Sequence, residues 1–101
     1  MNARNKQFLY KLIPPRSTFA QDMTEVERKV IQEHATYWKG VTDKGIALVF
    51  GLVLDPKGPW GVGIVEVADE ADARALGTND PAVKAGLTFE VYPMPDAVVR
   101  K

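Results

Sequence analysis

The sequence has no cysteine and a single histidine, His34. Without cysteine the chain can form no disulfide, no thiol nucleophile and no zinc–thiolate site, and one histidine excludes a multi-histidine metal site within one chain. A metal would have to be held by carboxylates alone. We therefore predict no metal site and no cofactor.

The sequence also lacks an excess of either charge and lacks any long apolar run. Thirteen basic residues balance thirteen acidic ones, and the basic residues are scattered, unlike the clustered footprint of a nucleic-acid-binding protein. No segment approaches the ~20 apolar residues of a membrane span, and the N-terminal stretch has no apolar run of signal-peptide length. We expect a cytoplasmic protein with neither a nucleic-acid nor a membrane partner.

What the chain does have is the composition of an ordinary globular domain. Of its 101 residues, 46% are hydrophobic and 26% are charged, and a chain of this length can bury one core but not two. We predict a single domain over residues 1–101, with its core at about 8–95 and tails at 1–7 and 96–101.

Hydrophobic patterns predict four strands and two helices. Apolar runs predict strands at residues 8–13, 46–54 and 60–67, and an alternating pattern predicts a fourth at 88–93. The first helix begins at a capping box of Thr24 and Glu27 and ends near Gly45, whereas the second begins at Asp69 and ends before Gly77. Residues 16–23 show no periodicity and are predicted to form a loop. The order βαββαβ indicates an α+β, ferredoxin-like fold, an antiparallel sheet with both helices on one face.

The apolar composition of the second predicted strand indicates an interface with another chain. Residues 46–54 (IALVFGLVL) are apolar on both sides of the strand, so helices on one face of the sheet would leave an apolar patch in water on the other. We predict a homodimer in which two sheets face each other.

His34 is the first candidate for chemistry. Counted at about 100° per residue, it lies in the middle of the apolar stripe of the first helix. Such a histidine is either a neutral core residue that hydrogen-bonds locally, or it meets a polar partner in a pocket. The predicted topology lets the loop after the second helix lie beside the first helix, so Asp80 could approach His34.

Asp80 has an independent interpretation. An aspartate before Pro81 is typical of a helix N-cap with proline at the first helical position, and Gly86 would end that one-turn helix. The two roles are compatible, because a capping carboxylate could also hold an imidazole N–H and make His34 a general base.

Four further residues are predicted to bind a substrate. Arg16, in the loop before the first helix, either binds an anionic group or is a solvated surface arginine. Phe19, Trp38 and Phe50 either form the wall of an aromatic pocket or belong to the core. We predict that these four bind a small molecule beside a catalytic histidine–aspartate pair.

Taken in order, the motifs resemble the YCII-related domain (YciI-like) family. They are residues 34–38 (HATYW), residues 45–51 (GIALVFG) and residues 79–87 (NDPAVKAGL), and the resemblance spans roughly residues 8–95. The longer, proline-containing segment at residues 13–24 is similar to that of a subgroup of the family. The resemblance implies a dimeric α/β-barrel of ferredoxin-like subunits, related in shape to muconolactone isomerases. It also implies a cleft that holds His34 and Asp80.

Two hypotheses about function follow. One branch of the family is similar to a dehydrochlorinase of hydroxylated aromatics, which implies a small cofactor-free lyase or isomerase. In such an enzyme His34 and Asp80 would be the proton-transfer pair, acting on a small aromatic or anionic substrate. The alternative is a non-catalytic, ligand-binding or stress-associated dimer in which His34 is structural.

Overall fold

The computed structural model describes residues 5–100 of the chain. Residues 1–4 and 101, which belong to the two predicted tails, lie outside this range, whereas Lys6 and Gln7 of the first predicted tail belong to a strand. The elements in chain order are β1 (Lys6–Ile13), α1 (Phe19–Asp22), α2 (Glu25–Asp43), β2 (Ala47–Val53), β3 (Trp60–Val67), α3 (Glu70–Thr78), α4 (Pro81–Lys84) and β4 (Thr88–Pro93).

The four strands form one antiparallel sheet in the order β2-β3-β1-β4. This is the strand order of the split βαβ plan, in which β1 and β3 are central. The predicted ferredoxin-like fold is therefore confirmed. The register places Tyr10 between Gly63 on β3 and Val91 on β4, so these three residues share one face of the sheet.

That face carries the core. Along β1, Phe8, Tyr10 and Leu12 are buried, and the residues between them, Leu9 and Lys11, are half-buried. Because successive strand residues point to opposite faces, this alternation marks the inner face. Trp38 and Val41 of α2 pack against it in the same buried cluster. Truncating a buried tryptophan such as Trp38 to alanine typically costs about 3–5 kcal/mol.

The ends of α2 form as the sequence predicts. The side chain of Thr24 accepts from the amide of Glu27, and Glu27 accepts from the amide of Thr24, which completes the capping box. Gly45, with φ of 80°, adopts the left-handed conformation that follows many helix ends. Val26, in the first turn of α2, is apolar but 73% exposed, and the fully buried positions of the helix begin only at His34.

Two local predictions are wrong. The segment predicted as a loop contains the short helix α1, whose Phe19 is buried in an otherwise polar stretch. Gly77 does not end the second helix but lies inside α3, where a Cβ would come within 2.5 Å of the Phe89 ring. A glycine at this position therefore lets β4 approach the helix closely, and Asn79 caps α3 instead.

The opposite face of the sheet is more open and partly apolar. Leu9, Ile13, Val62 and Ile64 are half-buried there, and Val49 is 51% exposed. The β2 strand shifts register between Ala47 and Val49. Within residues 5–100, the helices are too short or too polar for any of them to cross a bilayer.

Candidate functional site

The site is centred on His34, which lies in the middle of α2 and is 7% exposed. Its Nδ1 atom lies 2.9 Å from Oδ1 and 3.0 Å from Oδ2 of Asp80, although the two residues are 46 positions apart in the chain. The structure thus brings together the two residues that are predicted from the sequence to form a pair. That they are catalytic remains a prediction.

Local chemistry places Asp80 in that position. Asp80 is the N-cap of α4: its Oδ1 accepts from the amide of Ala82 at 2.9 Å, and Pro81 occupies the first helical turn. Gly86, with φ of 115°, follows the helix as predicted. Because α4 packs against α2, the cap carboxylate lies within the core and faces His34. The same carboxylate therefore caps a helix and holds the imidazole.

Two further side chains bind Asp80, both at Oδ2. The hydroxyl of Tyr10 donates at 3.0 Å and the indole N–H of Trp38 donates at 2.8 Å. The sequence predicts Trp38 either as part of an aromatic wall or as a core residue, and it does not point to Tyr10. A signal was present, since Tyr10 falls on the buried face of β1, and a buried tyrosine hydroxyl usually needs a partner.

This set of donors fixes the ionisation of Asp80, which is fully buried. Burial by itself raises the pKa of the carboxyl, but the hydrogen bonds from His34, Trp38 and Ala82 lower it, and the net effect places this pKa below its usual value. Burial, followed by the nearby charge of Asp80, raises the pKa of the Tyr10 hydroxyl. Asp80 is therefore an ionised acceptor, and Tyr10 is a neutral donor.

The ionised carboxylate of Asp80, as the acceptor at Nδ1, also fixes the tautomer of the imidazole. Nδ1 must carry the proton, so in the neutral ring Nε2 is the free acceptor. Within residues 5–100, Nε2 has no hydrogen-bond partner, and no buried side-chain nitrogen or oxygen is left unpaired. Nε2 is therefore accessible from the cavity that His34 lines.

The cavity has a volume of about 690 Å³, which is within the range of small-molecule sites. Its walls come from the segment before α2, from α2 itself and from the β2–β3 hairpin. Most of the lining is apolar, and it includes Leu12, Phe19, Met23, Ile31, Leu52 and Leu87. Three of the predicted binding residues, Phe19, Trp38 and Phe50, are in this lining.

Phe50 lies beside His34 because two glycines leave room for it. A Cβ on Gly63 would lie 2.9 Å from the Phe50 ring, and one on Gly61 would lie 3.1 Å from it. The ring stacks on Trp38 at a centroid distance of 4.6 Å and meets the imidazole of His34 edge-on at 5.1 Å. The imidazole is thus held between a carboxylate on one side and an aromatic ring on another.

Arg16 is placed differently from the other predicted binding residues. Its guanidinium binds both oxygens of Glu27 and one of Asp22, at 2.8 to 3.0 Å. It also lies over the ring of Phe19, and it is not among the residues that line the cavity. The carboxylates raise the pKa of Arg16, and Arg16 lowers that of Glu27 to about 2. Arg16 therefore anchors α1 to the start of α2, beside the cavity.

Comparison with protein families agrees with the motifs. The sequence model of the YCII-related domain matches residues 12–95, which is more than four-fifths of the chain. The chain belongs to the YCII-related domain family. The resemblance drawn from the motifs is therefore confirmed, and the matched range includes His34, Asp80 and Trp38. A search of curated proteins found no match. In this YCII-related protein, no three histidine, cysteine or acidic residues among those described are grouped so as to hold a metal ion.

Proposed function

We propose that this YCII-related protein is a small cofactor-free lyase or isomerase in which His34 moves a proton on a molecule bound in the cavity. The observation that carries the proposal is the orientation of His34, with Nδ1 against an ionised carboxylate and Nε2 open to an apolar cavity. A general base needs a free nitrogen within reach of a substrate, and a carboxylate against the other ring nitrogen holds the ring in the tautomer that leaves Nε2 unprotonated.

The proton transfer uses each residue of the site in turn. Nε2 of His34 takes a proton from a weakly acidic C–H or O–H of the substrate, and the ring becomes an imidazolium. Asp80 stabilises that cation while Tyr10, Trp38 and the Ala82 amide keep its carboxylate in place. The proton then returns to another atom of the substrate, which is an isomerisation, or to a departing group, which is an elimination.

Deuterium incorporation tests this proposal because it detects proton removal whatever product follows. The protein is incubated in D₂O with a panel of small carbon acids, both neutral and anionic, such as aryl ketones, 1,3-diketones and unsaturated lactones and their carboxylates. NMR then measures exchange at the acidic carbon. We expect exchange with at least one compound, and a fall of roughly 10²–10⁴-fold in the His34→Gln variant.

A matched control separates chemistry from folding. Glu33→Gln changes the neighbouring, exposed position of the same helix and is expected to keep the exchange rate. An exchange rate that survives in folded His34→Gln would overturn the proposal. Binding without exchange by any compound in the panel would support the alternative, a non-catalytic ligand-binding or stress-associated protein.

We also propose that two copies pair through the open faces of their sheets, at Leu9, Val62, Ile64 and Val49. These apolar side chains support the proposal because they are partly exposed to water on the open face of the sheet. A second sheet packed on that face would bury them, which is favourable. Analytical ultracentrifugation at micromolar concentration is expected to give a dimer, and Ile64→Lys is expected to give a monomer. Wild-type protein that sediments as a monomer would contradict this pairing. Cytoplasmic location remains a prediction.

A further inference from the structure

The charges around the cavity restrict what it can bind. Among residues 5–100, three side chains of its lining can carry charge, namely His34, Lys39 and Asp43. Lys39 Nζ lies 2.9 Å from Asp43 Oδ2, one helical turn away. His34, in either protonation state, faces the carboxylate of Asp80. Each cation of the described lining is therefore already matched by an anion.

The cation beside the cavity, Arg16, is also paired with carboxylates. Arg16 binds both Asp22 and Glu27, so this group carries one more negative charge than positive. An anionic substrate at Arg16, as the sequence suggested, would therefore meet a group whose net charge is already negative. Asp22 and Glu27 offset the attraction that the guanidinium exerts on such an anion.

An anion would thus have to leave water for an apolar wall without a counter-charge. Transfer of an unpaired charge into such surroundings is strongly unfavourable. In the neutral ring Nε2 is an acceptor, so it repels a carboxylate or phenolate oxygen and attracts a hydrogen-bond donor. Aromatic and aliphatic side chains supply the remaining contacts, Phe19, Trp38, Phe50, Leu12 and Leu87 among them.

We infer that the cavity takes an uncharged, largely apolar molecule with one hydrogen-bond donor or weakly acidic C–H that meets Nε2 of His34. This inference names the substrate class of the reaction proposed above and rests on the same cavity. It concerns binding alone, so it can fail while the proton-transfer function stands, and it can hold while no turnover occurs.

Two naphthalene probes of similar size and different charge test it. 2-Naphthol is neutral at pH 7 and carries one donor, whereas 2-naphthoate is an anion of nearly the same size. Isothermal titration calorimetry is expected to show 2-naphthol binding at least about tenfold more tightly than 2-naphthoate. Equal affinities, tighter binding of 2-naphthoate, or no binding of 2-naphthol would overturn the inference.

Three variants test where the probes bind and what makes the cavity select the neutral one. Ile31→Trp fills the cavity and is expected to abolish binding of 2-naphthol. Asp43→Asn removes the partner of Lys39 and is expected to strengthen binding of 2-naphthoate several-fold while leaving 2-naphthol unchanged. Glu33→Gln removes one negative charge from the same helix outside the cavity lining and is expected to change neither affinity.

Each variant can contradict the inference. If 2-naphthol binding survives in Ile31→Trp, the probe occupies another place on the protein. If 2-naphthoate binds no better to Asp43→Asn than to Glu33→Gln, the pairing of Lys39 is not what excludes anions. Circular dichroism and urea unfolding of each variant confirm that the comparison is made between folded proteins.

Discussion

Two charged clusters of this protein have nearly the same bond lengths and opposite surroundings. In the buried cluster, Asp80 accepts from His34, Tyr10 and Trp38 at 2.8 to 3.0 Å and is fully buried. In the exposed cluster, Arg16 donates to Asp22 and Glu27 at 2.8 to 3.0 Å, with its own side chain 37% exposed. Distance therefore does not distinguish the two clusters, but access to water does.

The difference decides what each cluster can do. In the exposed cluster water competes for every donor and acceptor, so each bond contributes little to stability. In the buried cluster a group that loses its partner cannot form a hydrogen bond to water instead. The loss of one partner therefore leaves the other with the full free-energy cost of desolvation. The buried cluster can therefore fix the tautomer of a base, whereas the exposed one only anchors a short helix at the edge of the cavity.

Asp80→Asn is expected to have the largest effect on both the stability of the fold and the rate of deuterium exchange. An asparagine can still cap α4 with its oxygen, but its NH₂ group then faces the indole N–H of Trp38, which can only donate. We expect a loss of about 3 kcal/mol in the free energy of unfolding and a roughly 10³–10⁴-fold slower deuterium exchange. Urea unfolding and the NMR exchange assay measure the two losses.

The control for this substitution is Asp22→Asn in the exposed cluster. The same change of chemical group at that position is expected to leave the exchange rate unaltered and stability nearly so. Long-range ¹H–¹⁵N spectra report which ring nitrogen of the single histidine carries the proton. We expect the Nδ1–H tautomer in the wild type and no preference for that tautomer in Asp80→Asn. Similar losses in the two variants would contradict the distinction drawn between the clusters.

A smaller effect is expected from removing one donor to Asp80. Tyr10→Phe deletes a hydrogen bond to a buried carboxylate and should cost about 1.5–3 kcal/mol in urea unfolding. Tyr37→Phe is the matched control, because its hydroxyl donates to the neutral carbonyl of Leu76 and the loss should be about 0.5–1.5 kcal/mol. If Tyr37→Phe costs as much as Tyr10→Phe, the charge of Asp80 is not what makes its bonds strong.

Acid should weaken both clusters. The folded-state pKa of Asp80 is depressed below 3.8, and that of Glu27 is depressed from 4.5 to about 2. A depressed carboxyl pKa stabilises the fold above the unfolded value, and this stability is lost as pH falls through the folded value. Stability should therefore decline below about pH 4.5, where Glu27 begins to be protonated in the unfolded chain, and the gap between wild type and Asp80→Asn should narrow below about pH 3.8. Urea unfolding from pH 7 to 2 measures both trends, and a constant gap would contradict the ionised state of Asp80.

The smallest effect is expected from Arg16→Gln. Its bonds are exposed to water, so the stability loss should be smaller than that of Tyr10→Phe, and it should shrink further near 1 M salt, where the Debye length is about 3 Å. Urea unfolding with and without sodium chloride measures it. A loss larger than that of Tyr10→Phe would show that the anchoring of α1 contributes to the core.

The fold was largely predictable because its signals are local. The capping box at Thr24, the cap at Asp80, the positive-φ positions Gly45 and Gly86 and the strand patterns each act within a few residues. The exceptions depend on distant contacts. The role of Gly77 is set by the ring of Phe89, and the burial of Phe19 depends on a cavity built from three other segments.

The sequence by itself determined the order of the four strands and the two longer helices, the inward position of His34 and the capping role of Asp80. Helix periodicity and N-cap chemistry need only neighbouring residues. Only the tertiary structure decided which groups surround that carboxylate. Tyr10, His34 and Trp38 reach Asp80 from positions 70, 46 and 42 residues away in the chain. Only packing in three dimensions can bring such positions within hydrogen-bonding distance and exclude water from between them.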